Sequence, residues 1–152
     1  MVKIVLVALL GLLPFMVNSQ TPEERFFFDA AGNKCDSVAA SSYSIYTYAD
    51  SQKKSGKIIT KNMRGVVLSE CNYSDIYWKR QHGKSMYFFE NGNPKRTMSF
   101  VEGAYDGELV TYHPNGQLKR KDVFDKGKFV SGKCYTRSGA DTSHYQYEIM
   151  PE

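Results

Sequence analysis

A repeat of aromatic residues and glycines constrains this chain more than any other feature of its sequence. In three successive units an aromatic residue stands four positions before a glycine, and a second aromatic follows that glycine by eight positions. The units place these residues at Phe88, Gly92 and Phe100, at Tyr112, Gly116 and Phe124, and at Tyr135, Gly139 and Tyr147. Because the glycines are 24 and 23 residues apart, the chain is predicted to repeat one supersecondary unit along its length.

The turn sequence of the central unit explains why the glycine recurs. In residues 114–116, proline is preset for the first central position of a type I turn, asparagine tolerates the second, and glycine accepts the left-handed conformation that follows. This pattern predicts a three-residue hairpin loop that ends in a bulge. In that register Tyr112 lies opposite Leu118, and Val110 lies opposite Arg120. The face predicted to carry the aromatic row therefore includes Val110, Tyr112, Leu118 and Phe124.

Neighbouring units follow the same rule, and a second set of glycines marks their far ends. Gly103 and Gly127 lie at the far turns, whereas Gly83, Gly107 and Gly132 are each expected to open the next strand. In the first of these units Phe88, Pro94, Met98 and Phe100 are expected to share one face of the hairpin. In the last unit Tyr135, Tyr145 and Tyr147 are expected to share a face in the same way. The turn residues that define the repeat are Asn91, Gly92, Gly103, Gly107, Asn115, Gly116, Gly127, Gly132 and Gly139.

A fold class follows from this pattern. One hairpin cannot bury its own aromatic face and is marginal in water, so successive hairpins must stack or join edge to edge. Aromatic residues make up 14% of the chain, and this composition favours strands. We therefore expect an all-β protein built as an elongated, twisted antiparallel sheet of stacked hairpins. The solvent-exposed face or the edges of this sheet are expected to carry Lys95, Arg96, Lys119 and Lys121.

The repeat weakens towards the start of the chain. Gly65 has Tyr73 eight residues on, but Lys61 stands where the preceding aromatic is expected. Phe28 precedes Gly32 by four residues, but no aromatic follows at the expected distance. End repeats are usually atypical. The predicted division is a signal segment at residues 1–19, a degenerate N-terminal β region at 20–57, and the hairpin-repeat region at 58–152.

The first residues have the pattern of an export signal. Lys3 gives a positive start, residues 4–16 are almost unbroken apolar sequence, and Ser19 is a small residue suited to cleavage before Gln20. A membrane anchor is the alternative, but an apolar run this short falls below the roughly 20 residues that span a bilayer. We therefore expect a cleavable signal helix and an exported product that is periplasmic, in the outer envelope or secreted.

The cysteines leave two readings open. Cys35, Cys71 and Cys134 are widely spaced, unlike the ligands of zinc or redox motifs. An oxidising compartment allows one disulfide with a spare thiol, in any of three pairings. Isolated, half-buried thiols are the other reading.

Catalytic patterns are missing from the sequence. His82, His113 and His144 lack neighbouring Cys or carboxylate partners that recur with them, so we expect turn or surface histidines. There is no Gly-x-Ser-x-Gly nucleophile motif and no phosphate-binding glycine loop. Trp78 is expected to anchor the core or an edge, with a polyanion-binding role for residues 77–80 as the alternative. A formal charge of +4 does not imply nucleic-acid binding. No enzyme activity, cofactor or metal is predicted.

Two segments resemble MORN-type repeats. They read Gly83-x₄-Phe88-x₂-Asn91-Gly92-x₇-Phe100-x₂-Gly103 and Gly107-x₄-Tyr112-x₂-Asn115-Gly116-x₇-Phe124-x₂-Gly127. The variant they resemble more closely is that of bacterial antitoxin-like repeat proteins, and the resemblance extends over about residues 60–150. Residues 145–152 resemble the junction at which some bacterial envelope proteins enter a TonB-type domain, which is expected to be absent here.

The resemblance implies an interaction scaffold for a protein or a lipid surface. We therefore predict a non-catalytic binding or scaffolding module outside the cytoplasm that engages a protein or envelope partner. Association with a membrane surface is compatible with this reading, and the oligomeric state is left open. The alternative is an antitoxin-like or immunity protein that neutralises a partner toxin.

Overall fold

A computed structural model describes the backbone of residues 23–145 and the side chains of residues 23–142, and within this range the chain forms one antiparallel sheet without a helix. The all-β antiparallel prediction is confirmed, whereas the predicted signal at 1–19 lies outside the described residues. No helix in the described range could span a membrane. The strands are β1 (Glu23–Phe28), β2 (Lys34–Cys35), β3 (Ser42–Tyr48), β4 (Gly56–Asn62), β5 (Val67–Asp75), β6 (Arg80–Gln81), β7 (Gly83–Phe88), β8 (Pro94–Val101), β9 (Ala104–Tyr112), β10 (Leu118–Asp125), β11 (Lys128–Tyr135) and β12 (Asp141–Tyr145).

The order of strands across the sheet nearly follows the order along the chain. From β7 to β12 each strand pairs with the next one in the sequence, β5 pairs with β4 and β7, and β6 pairs with β5. β1 lies between β2 and β3. This arrangement is the one expected when successive hairpins join edge to edge.

One type of turn recurs at one end of the hairpins. At the central unit the Gly116 N–H donates to the His113 carbonyl (2.8 Å), and the His113 N–H donates to the Gln117 carbonyl (2.7 Å). Gly116 has φ +85°, so both the hydrogen bonds and the backbone match the predicted bulged turn. The same pair of hydrogen bonds surrounds Gly32, Gly65, Gly92 and Gly139. The turn therefore also occurs in the N-terminal part, where the aromatic pattern is weak.

A further bulge follows three residues after the turn glycine. Tyr112 pairs with Leu118 as predicted, but Thr111 pairs with Arg120, which leaves Lys119 as an extra residue on β10. Equivalent extra residues occur at Leu68, Lys95 and Thr142. An extra residue reverses the side-chain alternation of everything beyond it. The bulge is therefore a second recurring feature of these hairpins, although the β1–β2 hairpin at Gly32 pairs without it.

This bulge corrects the predicted face assignment. Lys121, not Arg120, lies opposite Val110, and Phe124 lies on the face opposite Tyr112. In the preceding hairpin the same shift puts Phe88 and Pro94 on the face opposite Met98 and Phe100. Tyr147 of the third predicted set lies outside the described residues.

The aromatic face of the sheet, which we define by Met98, Phe100, Tyr105, Phe124 and Phe129, contains a continuous row of rings. The centroids of Phe100 and Tyr105 are 4.8 Å apart, those of Tyr105 and Phe124 5.1 Å, and those of Phe124 and Phe129 5.7 Å. Met98 and Phe100 are 2% and 7% exposed. Such ring pairs contribute about 0.5–1.5 kcal/mol each beyond their burial. The row thus links three successive strand pairs through side chains as well as through the backbone.

Two of the repeat glycines have roles other than the predicted one. Gly83 begins β7, but Gly107 and Gly132 lie inside β9 and β11, so the prediction that they open strands is wrong. Gly107 has φ +93° and lies where the pairing of β8 and β9 shifts register. At Gly132 an added Cβ would lie 2.3 Å from Asp122 Oδ1 of the neighbouring strand. Close packing of the two strands therefore requires a residue without a side chain at this position. Gly103 and Gly127 lie in the far turns, as expected, with φ +87° and +85°.

The three cysteines are unbridged. Cys71 is buried, whereas Cys35 and Cys134 are half-buried. The fold therefore follows the isolated-thiol reading, and no disulfide contributes to it.

Candidate functional site

Neighbouring bulged turns are tied together along one border of the sheet, which we call the turn edge and define by residues 62–66, 89–93, 113–117 and 136–140. The side-chain amide of Asn91 donates to the Pro114 carbonyl (3.0 Å), and that of Asn115 donates to the Arg137 carbonyl (3.3 Å). Arg64 Nη2 pairs with Glu90 Oε2 at 2.8 Å. In each of these three contacts, the side chain of the third residue of one turn binds the second residue of the next turn. The turns therefore form a ladder that fixes their relative positions.

A groove with a volume of about 500 Å³ lies at this edge, between the turn ends of the β7–β8 and β9–β10 hairpins. Its lining contains the half-buried residues Tyr87 and Phe89, whose rings each contact a cation, together with four permanent cations and no carboxylate. The cations are Lys95, Arg96, Lys119 and Arg137. Tyr112 also belongs to the lining, but the strand pairing puts its side chain on the face opposite that of Arg96. The volume lies within the range of ligand sites in proteins. The groove therefore combines a cluster of positive charge with aromatic walls.

Two of the cations are seated on rings of the groove. Arg96 Cζ lies 4.8 Å from the centre of the Tyr87 ring, and Lys95 Nζ lies 5.8 Å from the centre of Phe89. Each such contact is worth about 0.5–1 kcal/mol at exposed sites. Burial raises the pKa of Tyr87, and a hydrogen bond with the Cys71 thiol acts in the same direction, so the ring stays a neutral phenol. The rings therefore orient the cations without neutralising them.

The four groove cations form no ion pair with a carboxylate of the described residues. Elsewhere in the sheet such pairs are frequent, as at Lys57 with Glu70 (2.6 Å) and Lys121 with Glu108 (2.6 Å). The four basic residues predicted to lie on the solvent-exposed face or edges thus divide into two groups. Lys121 forms an ion pair, whereas Lys95, Arg96 and Lys119 line the groove. Their charge is available to a ligand from outside the described chain.

The bulge explains how two lysines reach the groove. Lys95 and Lys119 are the extra residues of β8 and β10, each three positions after its turn glycine. An unpaired bulge residue turns its side chain away from the regular alternation. The recurrence of lysine at this position was visible in the sequence, but there it indicated only a solvated edge.

The histidines have structural partners. His113 Nε2 lies 3.2 Å from the Tyr135 carbonyl, and His82 Nδ1 lies 3.0 Å from Glu102 Oε1. The side chain of His144 lies outside the described residues. Over the part of the chain whose side chains are placed, no group of three or more His, Cys, Asp or Glu residues could hold a metal ion.

A second exposed feature lies at the opposite border of the sheet. Tyr77 and Trp78 are 81% and 72% exposed, and their rings meet edge to face at 4.9 Å. The expectation that Trp78 anchors the core is wrong, because Ile76 takes the buried position of this loop. The Trp78 N–H donates to Asp75 Oδ1 (3.1 Å), which fixes the exposed pair.

The aromatic residues that define the repeat divide between these surfaces. Phe100 and Phe124 lie in the aromatic face, Tyr112 ends β9 beside the groove with its side chain on the face opposite Phe124, and the Tyr135 carbonyl contacts His113. Phe88 ends β7 beside the groove residues Tyr87 and Phe89.

The family model of the MORN repeat variant matches residues 81–102 and 105–126 of the chain. These two matches correspond to the β7–β8 and β9–β10 hairpins, whose turn ends form the groove. Comparison with curated proteins and with solved structures gave no match. The predicted resemblance to MORN-type repeats is confirmed over these residues, whereas nothing supports the closer likeness to antitoxin-like proteins or the TonB-type junction.

Proposed function

We propose, taking the two matched MORN repeat variants as the premise, that this protein is a non-catalytic binding module. Its turn-edge groove binds an acidic segment of a partner protein, and it does so outside the cytoplasm. Repeats of this type are commonly binding or scaffolding modules. The export pattern of Lys3 and residues 4–16 supports the location.

One observation carries the proposal. Four permanent cations line a groove that contains no carboxylate, and two of them rest on aromatic rings. Arg96 presents a planar fork of donors that suits a carboxylate better than a lysine does. Aromatic and arginine side chains are also the residues enriched at energetically important positions of protein interfaces. An acidic protein segment satisfies both the charge and the apolar walls.

Binding to poly-L-glutamate tests the proposal. We expect the full chain to bind the labelled polymer at low ionic strength and to lose affinity as salt is added. Replacing Lys95, Lys119 and Arg137 with Gln removes three contacts worth about 0.2–1 kcal/mol each, so affinity should fall at least about threefold.

A matched control uses three lysines away from the groove, Lys79, Lys126 and Lys128. Replacing these with Gln removes the same charge, and we expect a change below about twofold. Equal loss of affinity in both triple variants would show that binding follows net charge and not the groove, and the proposal would fail. The same failure follows if the wild-type chain does not bind.

A further inference from the structure

We infer that the groove selects an extended acidic segment in the polyproline II conformation, with a carboxylate at every third residue. This inference rests on the proposed function and goes beyond it by naming the conformation and the spacing of the ligand. It comes from the way the repeat places its basic residues.

The two bulge lysines stand one hairpin apart. Lys95 lies on β8 and Lys119 on β10, with β9 between them, and both occupy the same position relative to their turn glycine. Adjacent strands are about 4.8 Å apart, so the two backbone positions are separated by about 9.6 Å across the sheet. The Asn91 and Asn115 ladder holds neighbouring turns at this separation. The protein therefore presents cations at a repeat set by its own sheet.

A polyproline II helix has the matching repeat. It rises about 3.1 Å per residue with three residues per turn, so every third side chain points the same way at intervals of about 9.3 Å. In a regular β-strand, residues on one face recur at about 6.7 Å and about 13 Å, and neither interval fits. A segment with acidic residues at positions i and i+3 would meet both lysines without distortion.

The walls of the groove suit such a segment. Tyr87 and Phe89 supply aromatic side chains to the lining, and Pro114 borders it at the turn between β9 and β10. Polyproline II ligands generally dock in aromatic-lined grooves. The cations seated on Tyr87 and Phe89 occupy positions over those rings, which disfavours stacking of a planar base there and favours an anion without one. Arg137, from the next turn, offers a third cation at the end of the groove.

Three peptides of identical composition test the spacing. Each contains equal numbers of Glu, Pro and Ala, arranged with Glu at every third position, with Glu at every second position, or with the Glu residues in one block. Fluorescence anisotropy with the full chain should show the every-third peptide binding at least about fivefold more tightly than the other two. The variant Lys119→Gln should remove this preference, whereas Lys128→Gln should keep it. A thermal unfolding curve for each variant confirms that it is folded.

The outcomes separate this inference from the proposed function. If poly-L-glutamate binds in the groove but the three peptides bind equally, the spacing inference is wrong and the proposed function stands. Preference for the every-second or block peptide overturns the inference in the same way. If neither the polymer nor any peptide binds, the proposed function fails and the inference fails with it.

Discussion

Replacing Gly132 with Ala tests the packing that joins the last two described repeats. Gly132 lies inside β11 opposite Asp122 of β10, and an added Cβ would be 2.3 Å from Asp122 Oδ1 and 3.1 Å from the Phe129 ring. The backbone of Gly132 has no positive φ, so the effect is steric. Asp122 is 4% exposed and accepts a hydrogen bond from Arg120 Nε at 2.8 Å. The carboxylate cannot move without disturbing that bond.

The expected magnitude follows from two costs. Overpacking a buried position costs about 1–3 kcal/mol. A disturbed hydrogen bond to a charged group adds about 1.5–3 kcal/mol when it is lost completely, and partial adjustment of Asp122 reduces this. We therefore expect Gly132→Ala to lower the free energy of unfolding by about 2–4 kcal/mol. With a urea dependence of about 2 kcal/mol per molar, the midpoint should fall by about 1–2 M.

The assay is urea unfolding followed by circular dichroism, in a double-mutant cycle with Asp122→Ala. Without the carboxylate only the Phe129 contact remains, so Gly132→Ala should cost at least about 1 kcal/mol less in that background. Equal cost in both backgrounds would refute the clash as the cause. A cost below about 0.5 kcal/mol in the native background would refute the close packing itself.

Three further outcomes are expected. Asn115→Ala breaks the hydrogen bond to the next turn and should lower the free energy of unfolding by about 1 kcal/mol in urea titration, whereas no change would remove the ladder as a source of stability. Trp78→Ala should change that free energy by less than about 0.5 kcal/mol, because the ring is 72% exposed; a larger loss would mean that the ring packs in solution. The Ser55 hydroxyl and backbone N–H groups lower the pKa of Asp50 to about 2, so its stabilising effect is present above about pH 4 and lost as pH falls towards 2. Asp50→Asn should flatten that part of an acid unfolding curve, and an unchanged slope would contradict the assignment.

Local turn chemistry was predictable from the sequence. Proline, asparagine and glycine at residues 114–116 each fit one position of the bulged turn, and the structure has that turn. The upstream turns were harder to predict because they use another residue order. There Asp29 and Asn62 stand first in the turn, and their side chains accept the N–H groups of Ala31 (2.9 Å) and Arg64 (3.0 Å).

Side-chain direction was not predictable with the same rules. The bulges at Lys95 and Lys119 reverse the alternation, and a lysine between strand residues looks like any solvent-facing position in the sequence. A single extra residue moved Phe124 to the face opposite Tyr112. The aromatic period therefore identified the repeat correctly while assigning its faces wrongly.

The groove itself depends on contacts between repeats. Its cations come from two strands and from a third turn, and the pairing of β8, β9 and β10 together with the ladder of Asn91 and Asn115 sets their mutual positions. In the sequence, Asn91 and Asn115 already fit their own turns. Nothing further in the sequence therefore indicates that their side chains also contact the next turn. The exposure of Trp78 likewise depends on which loop residue, here Ile76, is buried.

The central claim is that an acidic segment binds at the turn edge, and nuclear magnetic resonance tests it most directly. Amide signals of the full chain would be followed while the acidic peptide with Glu at every third position is added. Binding in the groove predicts that the largest shifts occur at Lys95, Arg96, Lys119 and Arg137. Largest shifts at Lys79, Lys126 and Lys128 on the opposite border, or no shifts at saturating peptide, would contradict the account.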